Sequence, residues 1–276
     1  MDQVQTAKLE SDSAILTPAV YRRESGNFSK YVNIVRELAV ADFRLKYHDS
    51  ALGYLWSMLN PMVMFAVYYF VFTQIFKSTI EAYPLFLITG IISYNFFQDS
   101  THSAMNSLSA KSGIIKKMYF PRIIIPLASS ATCLFSYIIN LVVLFVLVGV
   151  IRGFTPLALL TPIPILCLVI FSMGVSFVLA TLYAFFRDMG QIWNVLVLVI
   201  FWVSPVVFNV ENLPAPLSTV VYFNPLTRIF VMLRHYLIYN YFDPRFLLMT
   251  VVYSVIPFLV GVFIFNRYQD RFSELF

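Results

Sequence analysis

Residues 125–150 read IPLASSATCLFSYIINLVVLFVLVGV, 26 positions without an aspartate, glutamate, lysine or arginine. As a helix the stretch covers about 39 Å, more than the ~30 Å hydrocarbon core of a bilayer. Comparable apolar runs lie at about 55–76, 84–107, 158–186, 190–209 and 246–266. Together they predict an all-α, polytopic membrane bundle of six transmembrane helices. Composition points the same way, since 59% of the 276 residues are hydrophobic and 12% are charged, against about 25% charged in a soluble domain. A water-facing surface cannot be built from that inventory, so the excess hydrophobicity belongs to spans.

Lysine and arginine between the spans set the expected orientation. Fourteen fall on one side: Lys8, Arg22, Arg23, Lys30, Arg36, Arg44, Lys46, Lys111, Lys116, Lys117, Arg122, Arg187, Arg267 and Arg271. Five fall on the other, namely Lys77, Arg152, Arg228, Arg234 and Arg245. Both termini are expected in the cytoplasm. Residues 1–27 form a polar leader without an apolar core or cleavage site, so no signal peptide is expected and the first span directs insertion. The net charge of +5 follows from this topology and does not point to nucleic acid. Cys133 and Cys167 fall inside spans with no metal or disulfide spacing and are read as small buried hydrophobes.

The segments outside the spans carry more information. In 28–54, Phe28, Tyr31, Val35, Leu38, Ala39 and Phe43 recur at helical spacing opposite Lys30, Asn33, Arg36, Glu37 and Arg44. This predicts an amphipathic helix, lying in the inner headgroup region or packed on protein. Gly53 and Pro61 suggest a bend at the start of the first span, with Tyr54 and Trp56 as interfacial anchors. Ser109 to Pro121 holds three lysines and no acid, yet Ile114, Ile115, Met118, Tyr119 and Phe120 give it an apolar side. Two readings stand: a short helix docking in a groove of a soluble partner, or a positive-inside loop with snorkelling lysines.

Four fragments, in order and at fixed places relative to six spans, carry a family likeness. They are Tyr47-x-x-Ser50-x-Leu52-Gly53-x-x-Trp56-x-x-Leu59-x-Pro61; Gly113-Ile-Ile-Lys-Lys with Phe120-Pro121; Arg187-Asp188; and Asn224-Pro225-Leu226. Over residues 28–270 the chain resembles the permease of a type-2 ABC exporter, in the branch that exports lipid-linked polysaccharides such as O-antigen, capsule and teichoic acid precursors. The resemblance implies a bacterial inner-membrane homodimer with two ATP-binding subunits, and a path for a lipid-linked glycan between the copies. It further implies that 109–121 is the coupling helix, presenting Gly113, Ile115, Lys116, Met118 and Tyr119, and that Tyr47 to Pro61 borders the cytoplasmic gate. Residues 55–270 would be the permease domain and 271–276 a cytoplasmic tail.

The residues permit this independently. Nine glycines never form G-x-x-x-x-G-K-[ST], so the chain lacks a phosphate cradle and ATP with its magnesium is expected on a partner. A multidrug-type ABC permease is one rival. A membrane enzyme acting on polyprenyl-linked sugars is another, but it would need convergent acids, and Glu81, Glu211 and Asp243 read as scattered on the outer face.

Within the spans, Asn95, Asp99, His102 and Asn106 step by four, three and four and share one helical face. Asp99 at hydrocarbon depth must face protein or water; the stripe walls a polar path or forms a hydrogen-bond cluster between spans. Phe65, Tyr69, Phe72 and Phe76 line one face of the first span, open to stacking on sugar rings or to lipid. Between the fifth and sixth spans, Leu217–Phe223 and Leu226–Tyr239 are too short to cross and are broken by Pro214, Pro216 and Pro225, predicting re-entrant helices over about 210–244. The resemblance places this stretch at the outer mouth of the channel, where Arg228 and Arg234 are candidates to contact sugar hydroxyls or a phosphate, with snorkelling to headgroups as the default. Asp188 is expected to cap the fifth span and Arg187 to offset the dipole of the fourth.

Overall fold

The computed structural model describes residues 27–47, 53, 55–75, 77, 80–113 and 121–272, and among them every regular element is helical. We label the α-helices α1 (Asn27–Tyr47), α2 (Leu55–Phe70), α3 (Tyr83–Ala110), α4 (Ile124–Ile151), α5 (Pro162–Phe185), α6 (Met189–Val203), α7 (Ala215–Tyr222), α8 (Pro225–Arg234) and α9 (Pro244–Tyr268). Residues 27–34 form one compact unit, which is the helical start of α1, and 35–276 form the other.

Among the described residues, four stretches are long and apolar enough to cross a membrane: Met58–Ile75, Ile124–Ile151, Pro156–Phe185 and Pro244–Arg271. The other two expected spans differ for identifiable reasons. With 28 residues, α3 has the length, but most of it is buried in protein and several of its hydroxyls meet partners there. The Trp193 indole donates to Thr101 Oγ1 at 3.2 Å, the Ser93 and Tyr137 hydroxyls lie 3.4 Å apart, and the Tyr94 hydroxyl donates to the Val197 carbonyl. A helix buried on most sides can carry such groups. The fifth span, expected over 190–209, stops at Val203. Pro205 disfavours helical backbone at the residue before it, and Ser204 is extended (φ −86°, ψ 145°).

From Val35 to Tyr47 α1 belongs to the larger unit. Ala39 is buried while Arg36, Glu37 and Arg44 are exposed. Thr132 Oγ1 donates to the Ala39 carbonyl at 3.2 Å, the Phe43 ring lies 5.5 Å from Phe135, and Lys111 pairs with Asp42. From Val35 onward this helix therefore packs on protein. Pro61 sits inside α2, and beyond Phe70 the helix widens into a π-helical turn, Val71–Ile75.

The closest helix pair is α5 with α9. A Cβ at Gly174 would stand 2.5 Å from the Phe258 backbone, and one at Gly261 would strike the Gly174 carbonyl. At one end of the bundle Arg122 donates to the Gln269 carbonyl and Arg187 to Ser109 Oγ at 2.5 Å; at the other, Arg152 pairs with Glu81 at 2.6 Å.

Candidate functional site: a polar cavity and a helical cap

A cavity of about 370 Å³ opens between α2, α3 and α4. Trp56, Asn60 and Pro61 enter from α2, and Asn95 and Asp99 from α3, so two fragments that sequence reading treated separately share one wall. Ser136, Tyr137 and Asn140 close it from α4. The α4 pair was missed. Its four-residue spacing was visible, but a serine and an asparagine in a span commonly bond their own helix, as Asn140 Nδ2 does to the Ser136 carbonyl at 3.0 Å.

His102 and Asn106 continue the α3 stripe toward its inner end without lining the cavity; Asn106 donates to the His102 carbonyl at 3.0 Å. Gly53, at φ 47°, accepts from Trp56 N and turns the chain into α2, a left-handed conformation that favours glycine. Tyr47 ends α1, with its side chain outside the described residues, as is Phe76. Of the coupling candidates, Gly113 is exposed with nothing within 4 Å of where a Cβ would stand. Ile115, Lys116, Met118 and Tyr119 lie outside the described residues.

The aromatic face of α2 packs on α3. Phe65 stacks on Tyr69 (5.6 Å), both Tyr69 (6.5 Å) and Phe72 (6.4 Å) meet Tyr83, and Tyr83 continues to Phe86 (6.1 Å). Beyond Phe86 lies Arg234, its guanidinium carbon 3.4 Å from the ring centroid.

Snorkelling fails for Arg234. It is 2% exposed, and it donates to the carbonyls of Phe86 (3.2 Å), Pro205 (2.6 Å) and Val206 (3.0 Å). Gly90 leaves the room, since a Cβ there would sit 2.5 Å from Nη2. Arg228 is half-buried: Nε donates to the Tyr222 carbonyl at 2.8 Å and the guanidinium carbon lies 4.5 Å from the Tyr253 ring centroid. The reason is common to both. A fixed guanidinium fork matched to carbonyls is less costly to bury than an unpaired charge.

Two of the acids expected to be scattered lie close together. Glu81 and Glu211 share the wall of a cavity of about 510 Å³ with Asn209, Asn212, Arg234 and His235. Burial holds the His235 imidazole below its ordinary pKa against the pull of Glu211 and Asp243, which keeps the ring neutral at pH 7. Glu81 is engaged by Arg152, and among the described residues no group of three or more potential ligands has metal-binding geometry. The cap expected from Asp188 is not made: its backbone is helical and its side chain accepts no bond from the first turn of α6. Arg187 lies over Tyr183 (5.5 Å) and ties the end of α5 to the C-terminal end of α3 through Ser109.

Comparison with known proteins places the whole sequence. The chain is 31% identical over 237 residues to an O-antigen export system permease protein RfbA of Klebsiella pneumoniae, covering 85% of this chain and 91% of that one. The RfbA of Myxococcus xanthus is 27% identical over 193 residues, 69% and 71% of the two chains. The polysialic acid transport protein KpsM of Escherichia coli is 19% identical over 245 residues, 86% and 93%. The ABC-2 type transporter family profile matches residues 35–238, and the chain belongs to that family as a multi-pass membrane permease.

Proposed function

We propose that this chain forms the membrane channel of an ATP-driven exporter that moves lipid-linked polysaccharide, of the O-antigen kind, across the bacterial inner membrane. The observation that carries the reading is end-to-end similarity to O-antigen export permeases, 85% of this chain against 91% of the relative. Six spans per copy are α2, α3, α4, α5, α6 with the irregular segment behind it, and α9. Both termini are cytoplasmic, and residues 28–34 lie in the inner headgroup region. Two copies enclose the path, and ATP with magnesium binds two separate cassette subunits. The stretch 55–270 is the permease domain, with 210–244 capping the outer mouth.

The geometry supports a specific transmission route. The Ser109 to Pro121 coupling element continues from the inner end of α3, a 28-residue helix about 42 Å long. The same helix carries Asn95 and Asp99 at the polar cavity and Tyr83 and Phe86 under the outer cap. Because α3 is packed on most of its surface, a push at its inner end is passed along its axis. Lys111, paired with Asp42, joins the inner end of α3 to α1.

Two measurements test this. In cells that depend on the Asp99→Leu chain, the protein should insert normally while lipid-linked glycan accumulates on the cytoplasmic side. Full glycan export by a well-expressed Asp99→Leu chain removes the cavity from the path; loss of drug resistance with glycan export intact favours a multidrug permease. In the purified complex, Met118→Asp, Ile115→Asp or Tyr119→Asp should release the ATPase or uncouple hydrolysis from transport, because a charged replacement of a central anchor costs at least ~2 kcal/mol at an interface. If all three retain coupled export, the loop sets orientation only.

A further inference from the structure

A groove of about 620 Å³ lies beside the outer cap, separate from the polar cavity of α2, α3 and α4. Its floor is apolar: Leu248, Met249 and Val252 on the outer turns of α9 are 64%, 52% and 43% exposed, and Phe223 at the end of α7 is 66% exposed. Two charges line it, Arg228 from α8 and Asp243 at the start of α9. Among the described residues these two form no ion pair with each other. The Arg228 guanidinium is held from behind, by the Tyr222 carbonyl on Nε and by the rings of Tyr253 (4.5 Å), Phe246 (5.6 Å) and Tyr222 (5.9 Å). Its Nη1 meets the weak acceptor Met249 Sδ at 3.8 Å. One Asp243 oxygen caps α9 by accepting from Arg245 N at 2.8 Å.

The order of these groups along the helix is informative. Asp243 stands at the very end of α9, whereas Met249 and Tyr253, which flank the guanidinium, lie roughly 9 and 15 Å further in at 1.5 Å per residue. The groove thus offers an anion at the helix end and, further in, a cation beside the apolar side chains of Leu248, Met249 and Val252. An aminophospholipid carries the complementary groups: an ammonium, a phosphodiester one short linker away, and acyl chains attached beside it.

We propose that this groove binds one zwitterionic aminophospholipid of the surrounding leaflet, with its phosphodiester on Arg228, its ammonium on Asp243 and an acyl chain along Leu248, Met249 and Val252. A planar guanidinium presents two parallel N–H donors to a phosphate, and the ring faces behind it raise the cost of leaving it without an anion. An anionic phosphoglycerol headgroup would bring only neutral hydroxyls to Asp243 and leave its charge uncompensated. The site needs only that the bundle spans a membrane and is independent of what the permease transports. The lipid would brace α8, and with it Arg234, against the last span.

Native mass spectrometry of the detergent-purified complex with its ATPase, given equal amounts of dioleoyl phosphatidylethanolamine, phosphatidylcholine and phosphatidylglycerol, tests the assignment. Wild-type protein should retain phosphatidylethanolamine over the other two. Arg228→Gln should weaken retention of phosphatidylethanolamine and phosphatidylglycerol alike by about tenfold, the effect of one charge-assisted hydrogen bond, and Arg228→Lys should restore most of it. Asp243→Asn keeps a good helix cap, so that variant should fold yet lose the preference for phosphatidylethanolamine over phosphatidylglycerol. Soluble glycerophosphoethanolamine should fail to displace the lipid. Equal retention of all three lipids by the wild type overturns the proposal. So does unchanged phosphatidylethanolamine retention in both Arg228→Gln and Asp243→Asn, or displacement by the soluble headgroup. A change in the number of permease copies per complex with lipid retention unaltered would mean that a second copy covers the groove, and would overturn it as well.

Discussion

Replacing Arg234 with methionine should lower the thermal midpoint of the detergent-purified protein by roughly 6–12 °C and abolish export. Methionine fills part of the volume but donates nothing to the carbonyls of Phe86, Pro205 and Val206. The Phe86 carbonyl keeps its helical bond within α3, while those of Pro205 and Val206 lie in the irregular segment behind α6 and lose this donor. Two buried acceptors left without it cost about 3 kcal/mol, which for a chain of this size is roughly the stated shift. The effect on transport is larger than the effect on stability because this one side chain pins α8 to both α3 and the 204–209 segment. Arg234→Lys should fall between, since a compact ammonium cannot span three acceptors placed for a fork. Gly90→Ala should mimic the loss, because its Cβ would sit 2.5 Å from Nη2 and 2.8 Å from the Val206 carbonyl oxygen. Melting curves and glycan export assays of the three variants check this, and a wild-type midpoint for Arg234→Met would mean the carbonyls find other donors.

Arg234 also marks the limit of what the sequence discloses. Hydrophobic runs identify the long helices because the bilayer imposes a length and an absence of charge, and both are local properties. The same locality makes Asn95 and Asp99 readable as one face. Whether an arginine near a helix end snorkels or is buried depends instead on acceptors far along the chain: the Phe86 carbonyl is 148 residues away and that of Val206 is 28. No periodicity reports a gap kept open by Gly90. The outer acids show the same limit, since Glu81, Glu211 and His235 meet only when the α7–α8 cap folds over the start of α3. Ser204-Pro205 was different. Its effect on α6 is local backbone sterics and was legible, but apolar Val206, Val207 and Phe208 prolong the hydrophobic run past the true helix end, and hydrophobicity outweighed proline in the reading. For Asp188, the right residue type stood at the right place without the geometry, because a helical backbone at that position turns the carboxylate away from the donors it would cap.

The contact between α5 and α9 should be the least tolerant of added volume in the protein. Helices in lipid gain nothing from hiding apolar surface from each other, because the acyl chains are equally apolar; they associate through close packing and interhelical hydrogen bonds, and small residues allow the approach. Gly174 and Gly261 face each other across such a contact. A Cβ at Gly174 would stand 2.5 Å from Phe258 N and Cα and 2.6 Å from the Pro257 carbonyl carbon, all backbone atoms that no rotamer change can remove. Pro257 lies inside α9 at the same level, where its ring already costs the ladder a hydrogen bond. Alanine at either position must therefore push the helices apart, and a gap of roughly 0.5–1 Å forfeits a quarter to a half of each dispersion contact along the seam. Gly174→Ala and Gly261→Ala should each destabilise by about 1–3 kcal/mol, the usual cost of overpacking. Gly174→Leu and Gly261→Val should prevent the chain from accumulating in the membrane. Once one alanine has separated the helices the second has little left to disturb, so the double alanine variant should cost less than the sum of the singles. Gly113→Ala serves as the control, with nothing within 4 Å of its Cβ position. Fluorescence-detected gel filtration of solubilised membranes, followed by melting curves, measures all of these. Wild-type yield and midpoint for Gly174→Leu would show that the two backbones do not meet at this point.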